Sequence, residues 1–293
     1  MSPKPVVIAS DLTEASAPAL VRGASHAAAT GARMVLCHIV PDVLRNHPLS
    51  PARGENEMTR ASDFTKRAAD LLTEQLRQTT GVSPDDVTVV IETGNPEDEI
   101  VRIAEDRDAS LVVLGSRKHE GLDRVFGRTA ERVVRYAPCP VLVARASEPT
   151  RKLLVATDFS EASLVALELA KVLVAKTGLE GTLLHVMQSP SVVLPAIASP
   201  LGSPVVPPGA DAVEKLEELG RETLAGLAKS YGFSRAEQVE GDPAAVIVAR
   251  AAALPAEMIL LATRGRTGLR RLVLGSTAEK VAREAECSVL VAR

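Results

Sequence analysis

Aromatic residues are scarce in this chain of 293 residues, which contains four Phe, two Tyr and no Trp. Proteins that bind single-stranded nucleic acid stack bases on exposed aromatic rings, so this composition argues against that class. The 34 basic and 37 acidic residues give a formal charge of −3, too small to attract the whole chain to a nucleic acid or an anionic membrane. We therefore expect neither as a partner, and any polyanion site must be local.

Cysteines are also few. Cys37, Cys139 and Cys287 lie within apolar runs, without the CxxC or Cys/His spacing of metal sites, and we expect buried thiols in a reducing compartment. The first residues, MSPKPVVIASD, lack the layout of a signal peptide. The longest uncharged stretch, 181–210, contains six prolines and cannot form a membrane-spanning helix. The composition predicts a cytoplasmic protein with no metal site and no membrane segment.

Residues in matching local contexts recur at a fixed spacing of 147 positions. These pairs are Asp11 and Asp158, His38 and His185, and Gly94 and Gly241. Cys139 and Cys287 are 148 positions apart, so the first copy has lost one residue before this point. A repeat of this length indicates a duplicated domain, and the chain is long enough for two. We expect one domain over residues 1–146 and another over 151–293.

Each half alternates short apolar runs with amphipathic segments. Runs of Val, Ile and Leu bounded by turn residues are typical of strands buried on both faces of a parallel sheet. Alternation with helices implies right-handed crossovers that cover both faces. The sequence therefore predicts an α/β fold with two doubly wound, open, five-stranded sheets. The predicted strands are 5–9, 33–39, 87–92, 110–114, 141–144, 152–156, 182–186, 238–240, 258–262 and 288–292, and predicted helices include 15–30, 56–79, 96–106 and 129–137.

A glycine-rich loop follows the fourth strand of the second half. Its glycines let backbone N–H groups approach an anion, and the helix after the loop favours negative charge at its N-terminus. From Ala262 to Ser276 the loop contains four arginines and no acidic residue, a charge that suits a di- or triphosphate. The glycines are Gly265, Gly268 and Gly275, and the arginines are Arg264, Arg266, Arg270 and Arg271.

The same residues also fit a loop without a ligand. Residues 276–279 are Ser-Thr-Ala-Glu, which is a capping box with Ser276 as N-cap and Glu279 at N3. Spacing alone leaves both interpretations open. Position favours the phosphate, because ligands of open α/β sheets bind beyond the carboxyl ends of the strands where the winding direction reverses.

Two further strand ends should converge on this loop. The first strand of the second half ends at Thr157 and Asp158, and the second ends at His185 and Val186. The Asp158 carboxylate would then accept a hydrogen bond from a base or ribose hydroxyl, and the backbone of Val186 would contact a base edge. Taken singly, Asp158 is typical of an Asx turn, and His185 is typical of a structural histidine.

Segments of both halves match the pattern of one protein family. In the second half they are VATDFSEAS (155–163), LLHV (183–186), GDP (241–243), LLATRGRTGLRRLVLGSTAE (260–279) and CSVLVAR (287–293). In the first half they are SDLTEAS (10–16), CHIV (37–40) and APCPVLVAR (137–145). Through these segments the chain resembles a tandem universal stress protein over nearly its whole length.

The resemblance implies a sheet ordered 3-2-1-4-5 in each half and a nucleotide-binding regulatory role in the stress response. The family's nucleotide signature is Gly, two residues, Gly, nine residues, Gly, then Ser or Thr. The second half matches it except that Ala262 replaces the first Gly. The resemblance implies ATP as the ligand, with or without Mg²⁺, with adenine beside Asp158 and Val186. The nucleotide-binding residues predicted from position and resemblance are Thr157, Asp158, Val186, Ala262, Arg264, Gly265, Gly275, Ser276 and Thr277.

The first half departs from this signature. Lys118 replaces the second Gly, Arg128 replaces the hydroxyl residue, and one residue is missing between Gly115 and Gly127. A residue with a Cβ is strained where φ is positive, and an Arg side chain would fill space meant for phosphate. We expect the first half to bind ATP weakly or not at all. The alternative is a different anion site made by Lys118 and Arg128.

Three classes of function remain. The leading hypothesis is a nucleotide-binding regulatory protein that is not an enzyme. A slow ATPase or adenylyl transferase is an alternative, but the chain lacks a Walker A motif and shows no pair of acids near the loop for Mg²⁺. The third hypothesis is an assembly scaffold that binds no nucleotide. The sequence identifies no catalytic residue.

Two features suggest assembly. The apolar final strands of the halves, in 139–145 and 287–293, would be exposed edges unless they pair, which predicts a homodimer or an intramolecular pseudo-dimer. The uncharged, proline-rich segment 188–209 fits a lid, a subunit contact or an ordinary surface loop.

Overall fold

The fold consists of two compact units, Met1–Ala146 and Ser147–Ala292, called unit 1 and unit 2. The computed structural model describes residues 3–41, 55–116, 127–188, 209–263 and 274–293, with the side chains of 55–62 and 210 outside that description. Residues 189–208 of the proline-rich segment and residues 264–273 of the glycine-rich loop therefore fall outside the described residues.

Unit 1 alternates strands and helices from end to end. Its strands are β1 (Val6–Ala9), β2 (Met34–Pro41), β3 (Val87–Gly94), β4 (Leu111–Gly115) and β5 (Val141–Ala144). Its helices are α1 (Ala17–Thr30), α2 (Glu55–Thr80), α3 (Pro96–Asp106) and α4 (Arg128–Tyr136), with 3₁₀ turns at Glu14–Ser16 and Pro84–Asp86.

Unit 2 repeats this order. Its strands are β6 (Lys152–Thr157), β7 (Glu180–Met187), β8 (Arg235–Glu240), β9 (Met258–Ala262) and β10 (Ser288–Ala292). Its helices are α5 (Glu161–Thr177), α6 (Ala210–Tyr231), α7 (Pro243–Ala253) and α8 (Ser276–Glu284).

Both sheets are parallel and share one topology. In unit 1 the strands are ordered β3-β2-β1-β4-β5, and in unit 2 they are ordered β8-β7-β6-β9-β10. The winding direction reverses between β1 and β4 and again between β6 and β9. The predicted order 3-2-1-4-5 is therefore confirmed, and it places the reversal beside the strands that carry the candidate residues.

Aliphatic side chains build the core of each unit. Val6, Val7 and Ile8 are completely buried in the central strand of unit 1, and Leu153 and Val155 are completely buried in the equivalent strand of unit 2. Side chains that alternate in direction along a strand can all be buried only if helices cover both faces of the sheet. This explains why the strands appear in the sequence as continuous apolar runs.

Proline and glycine mark the ends of several helices. Pro96 and Pro243 are the first residues of α3 and α7, where a missing N–H leaves no intrahelical bond unmade. Gly31 and Gly178 end α1 and α5 in the left-handed conformation, with φ of 69° and 68°.

All ten predicted strands are present, with differences at their ends. β8 begins at Arg235, three residues before the predicted start. Helix α1 begins at Ala17, because Glu14–Ser16 form a separate 3₁₀ turn where one continuous helix was predicted. No described helix is both long and apolar enough to cross a membrane.

Candidate functional site

The carboxyl ends of three strands meet at one edge of the unit 2 sheet. Thr157, the last residue of β6, lies opposite His185 of β7, and Ala262 ends β9 on the other side of β6. Because parallel strands end at the same edge, the turns after them lie side by side, where open α/β sheets bind their ligands. The structure thus brings Thr157, Val186 and Ala262 to one edge, as predicted.

Two backbone hydrogen bonds fix the ends of the glycine-rich loop at this edge. The Gly275 amide donates to the Thr263 carbonyl over 2.7 Å, and the Thr263 amide donates to the Ala292 carbonyl over 3.0 Å. The N-terminus of α8 is therefore held directly beyond the end of β9. Arg264 and Gly265 fall outside the described residues.

Helix α8 begins without a side-chain cap. Gly275 is its N-cap, with φ −67° and ψ 145°, and Ser276 is its first helical residue. The capping box that the sequence suggested, with Ser276 as N-cap, is therefore wrong. Ser276 lies one position too far along, because the helix starts at the point where Gly275 is bonded to Thr263.

Within the described residues, the first backbone N–H groups of α8 have no intrahelical acceptor. Its first intrahelical bond runs from the Glu279 amide to the Gly275 carbonyl over 3.0 Å, so the amides of Ser276, Thr277 and Ala278 precede it. These N–H groups carry the positive end of the helix dipole toward the carboxyl edge. The Gly275 amide itself is used by Thr263. The donors at this end of the loop are thus the amides that follow Gly275.

Asp158 organises the turn after β6. Its Oδ1 accepts from the Ser160 amide at 3.1 Å and from the Ser160 hydroxyl at 2.6 Å, which is an Asx turn. Ser160 in turn caps α5 by accepting from the Ser163 amide at 3.2 Å. Asp158 therefore has the structural role expected of such a residue, and its position at the carboxyl edge remains compatible with a ligand contact.

The Thr157 hydroxyl is part of the same turn. Thr157 is 5% exposed as a residue, and its hydroxyl lies 2.9 Å from the Ser163 hydroxyl and accepts from the Phe159 amide at 3.1 Å. A hydroxyl with these partners supports the backbone. Thr157 thus belongs to the edge of the cleft through its position in β6, while its side chain holds the turn.

An aromatic pair at this edge was not predicted from the sequence. The Phe159 ring stacks on His185 with centroids 4.1 Å apart, and His185 Nδ1 donates to the Thr157 carbonyl over 2.9 Å. The His185 bond matches the structural histidine that the sequence suggested. Phe159 has a positive φ of 63°, a conformation rare for a residue with a side chain.

The same edge of unit 1 is built differently. Oδ1 of Asp11 accepts from the Thr13 amide, the Thr13 hydroxyl and the Ser16 hydroxyl, at 3.1, 2.6 and 2.7 Å. The side chain of Gln75, from α2, bonds the Ser10 hydroxyl at 2.6 Å and donates to the Thr13 carbonyl at 2.8 Å. The turn after β1 is therefore tied to α2 by side-chain bonds.

Gly115 of unit 1 occupies the position that Ala262 holds in unit 2. A Cβ placed on Gly115 would lie 2.3 Å from the Ala15 carbonyl oxygen, so the backbone after β1 fills the space beside this glycine. The missing side chain of Gly115 serves close packing within unit 1. Lys118 lies outside the described residues, and Arg128 is the first residue of α4.

An acidic residue in the turn after β8 is bonded to α8. Asp242 caps α7 by accepting from the Ala245 amide at 2.9 Å, and Lys280 of α8 donates to it at 3.1 Å. These bonds, the Ala245 amide first, hold the pKa of Asp242 below its usual range. In the described part of the chain no group of three His, Cys, Asp or Glu residues is arranged to hold a metal ion.

The sequence matches the profile of the universal stress protein family twice, over residues 3–145 and 149–293. A universal stress protein of Methanocaldococcus jannaschii is 36% identical over 149 residues, which cover 49% of this chain and 82% of that protein. A universal stress protein of Mycolicibacterium smegmatis is 27% identical over 96% of this chain and 94% of its own length.

A solved structure shows the same fold over the whole length. The crystal structure of a universal stress protein from Archaeoglobus fulgidus covers 99% of this chain and 98% of its own, with a TM-score of 0.67 and 22% identity. Two matches to one family, placed end to end, agree with the repeat and with the two sheets. The chain belongs to the universal stress protein family and carries two of its domains in tandem.

Proposed function

We propose that this protein is a regulatory protein of the stress response that binds ATP or a related adenine nucleotide in unit 2. The observation that carries this proposal is the start of α8. The amides of Ser276, Thr277 and Ala278 precede the first intrahelical bond, at the carboxyl edge where the sheet reverses direction.

Local charge supports the proposal. The loop between β9 and α8 contains Arg264, Arg266, Arg270 and Arg271 and no acidic residue. A cationic loop whose ends are joined by the bond between Thr263 and Gly275 suits a polyphosphate placed against the N-terminus of a helix. In this arrangement Gly265, Ser276 and Thr277 contact the phosphates, with Mg²⁺ as an optional companion of the ligand.

The other end of the cleft suits a nucleoside. Asp158 and Val186 lie at the ends of β6 and β7. Their neighbours in the sequence, Phe159 and His185, stack their rings on each other. We place the base against this part of the edge, with Asp158 and the Val186 backbone as its polar contacts. Ala262, between the two parts, faces the sugar or the first phosphate.

Calorimetric titration of the whole chain with ATP tests the proposal. We expect about one nucleotide per chain, since the sequence before α8 keeps the glycine signature except at Ala262, whereas the sequence before α4 has Lys118 and Arg128 at two of its positions. Binding stabilises the folded state by about 2.7 kcal/mol when ATP is at a hundred times its Kd, and this is measured as a rise in Tm. A chain that releases no heat and shows no shift in Tm would instead be a scaffold that binds no nucleotide.

Gly275→Val is the matched control. The φ and ψ of Gly275 are open to any residue, so we expect the variant to fold and the new side chain to cover the amides that follow. We expect ATP binding to be lost. Steady release of ADP by the wild type, well above that of this variant, would favour the slow ATPase over a purely regulatory protein.

Assembly and location complete the proposal. We propose that the final strands, β5 and β10, take part in a homodimer or in an intramolecular pseudo-dimer, because strand edges pair readily. Light scattering on the protein as it leaves a gel-filtration column distinguishes them, because a homodimer has the mass of two chains and a pseudo-dimer the mass of one. The buried thiols of Cys37, Cys139 and Cys287 suit a reducing compartment, so we place the protein in the cytoplasm.

A further inference from the structure

An ion pair links α3 and α4 at the position in unit 1 that corresponds to the candidate phosphate site. Nε of Arg128, the first residue of α4, lies 3.3 Å from Oε1 of Glu97, and Nε of Arg132 lies 3.8 Å from the same oxygen. The Glu97 side chain is only 8% exposed. A buried carboxylate thus faces the first turn of α4 with cations of that helix around it.

Unit 2 has neither member of this pair. The repeat places Ser276 at the position of Arg128 and Ala244 at the position of Glu97. Ala244 is 3% exposed, so this position is buried in both units, but in unit 2 it carries no charge. Unit 1 thus has both charged members of the pair, and unit 2 has an uncharged residue at both positions.

We propose that Glu97 is an internal anion that takes the place of a polyphosphate at α4 and so excludes nucleotide from unit 1. The inference rests on the proposed function, since it takes unit 2 as the nucleotide-binding unit. A helix N-terminus favours negative charge, and here a carboxylate of the same chain already pairs with the first residue of the helix, Arg128. A polyphosphate would meet a buried like charge.

The location of Glu97 argues against an ordinary surface ion pair. Exposed ion pairs contribute little, whereas a buried carboxylate must be paired because its desolvation is costly. The partners of Glu97, Arg128 and Arg132, both lie on α4. Removing Glu97 would therefore leave Arg128, at the N-terminus of α4, without this internal anion, while Arg132 would keep its ion pair with Asp98 at 3.2 Å.

Unit 2 of the full chain provides the first test. Ala244→Glu introduces the carboxylate beside α8, and Ala244→Gln introduces a side chain of the same size without charge. Titration with ATP should show at least a tenfold larger loss of affinity for the glutamate variant than for the glutamine variant. Equal losses would overturn the proposal, because bulk rather than charge would then be responsible. A wild type that binds no ATP would refute the proposed function instead.

Unit 1 provides a second test that does not depend on ATP binding by unit 2. Glu97→Gln is placed in the full chain that also carries Gly275→Val, and inorganic tripolyphosphate is titrated. We expect binding at least tenfold tighter than in the Gly275→Val parent. Glu99→Gln removes a charge from the same helix, where the carboxylate bonds Arg102 at 2.7 Å, and serves as the control. The same affinity for the two glutamine variants would overturn the proposal.

Discussion

The Gly275 amide donates a 2.7 Å hydrogen bond to the carbonyl of Thr263, across the whole glycine-rich loop. This bond joins the end of β9 to the start of α8 and so holds the helix N-terminus directly beyond the strand. It also determines which donors a ligand can use. The Gly275 amide is already bonded to Thr263, so the donors that remain for a ligand are the amides of Ser276, Thr277 and Ala278.

The first prediction separates binding from capping at α8. Ser276→Ala should change the free energy of unfolding by less than about 0.5 kcal/mol, because Ser276 is inside the helix and not its cap. Its affinity for ATP should fall about tenfold or more, the usual effect of removing one hydrogen bond to a charged group. Urea denaturation and calorimetry measure the two quantities.

Ser160→Ala is the control for that variant. The Ser160 side chain does cap a helix, since it accepts from the Ser163 amide at the start of α5. Its removal should cost about 1 kcal/mol of stability. If Ser276→Ala costs as much as Ser160→Ala, Ser276 supports the helix and the assignment of its hydroxyl to a ligand loses its basis.

Most of the fold was predictable because it depends on patterns that repeat. Runs such as 5–9 and 258–262 are apolar at every position, and only a covered parallel sheet buries such runs on both faces. The repeat then provided two independent views of each element. The ends of elements were less predictable. The 3₁₀ turn at Glu14–Ser16 depends on the close approach of Ala15 to Gly115, which is a tertiary contact.

The meeting of the strand ends at the candidate site was predictable, but the hydrogen bonds there were not. Strand order and the glycine spacing brought Thr157, Val186 and Ala262 to one edge. The capping box at Ser276 failed because a motif of four residues cannot show where the preceding loop is anchored. Phe159 stacks on His185 from a turn in which the φ of Phe159 is positive, and no local sequence pattern predicted that φ.

The second prediction concerns the paired positions 115 and 262. Gly115→Ala should destabilise unit 1 by about 1–3 kcal/mol, because the new Cβ would lie 2.3 Å from the Ala15 carbonyl oxygen. The reverse change in unit 2, Ala262→Gly, should cost no more than the usual 0.5–1 kcal/mol, approximately, of a glycine in a strand. Urea denaturation of both variants measures the difference. Equal tolerance at the two positions would show that the turn after β1 can move away from β4.

The third prediction is the pH dependence caused by Asp242. Its folded pKa is depressed, chiefly by the bond from the Ala245 amide. The carboxylate therefore contributes stability above its unfolded pKa of about 3.9, and this contribution is lost as the pH falls through the lower folded pKa. Asp242→Ala should cost about 1 kcal/mol at neutral pH, with a smaller difference from the wild type below pH ~4.

Asn95→Ala is the matched variant in unit 1. Asn95 is the N-cap of α3, but its side chain makes no capping bond within the described residues. This substitution should cost less than Asp242→Ala and should not alter the acid limb of the stability curve. A pH-independent loss of stability in Asp242→Ala would contradict the role given to its charge.

The last prediction concerns the thiols. Burial raises the pKa of Cys37 to about 12 and that of Cys139 to about 11, so at pH 8 almost none of either thiol is ionised. Since the thiolate is the reactive form, a disulfide reagent such as dithionitrobenzoate should label neither residue in the folded protein, and should label all three cysteines in urea. As the pH is raised, Cys139 should react before Cys37, because its pKa is lower and it is 7% exposed whereas Cys37 is completely buried. Peptide mapping of the labelled protein identifies the order. Labelling of Cys37 before Cys139 would contradict this prediction, and would mean that β2 becomes accessible before the residues that precede β5.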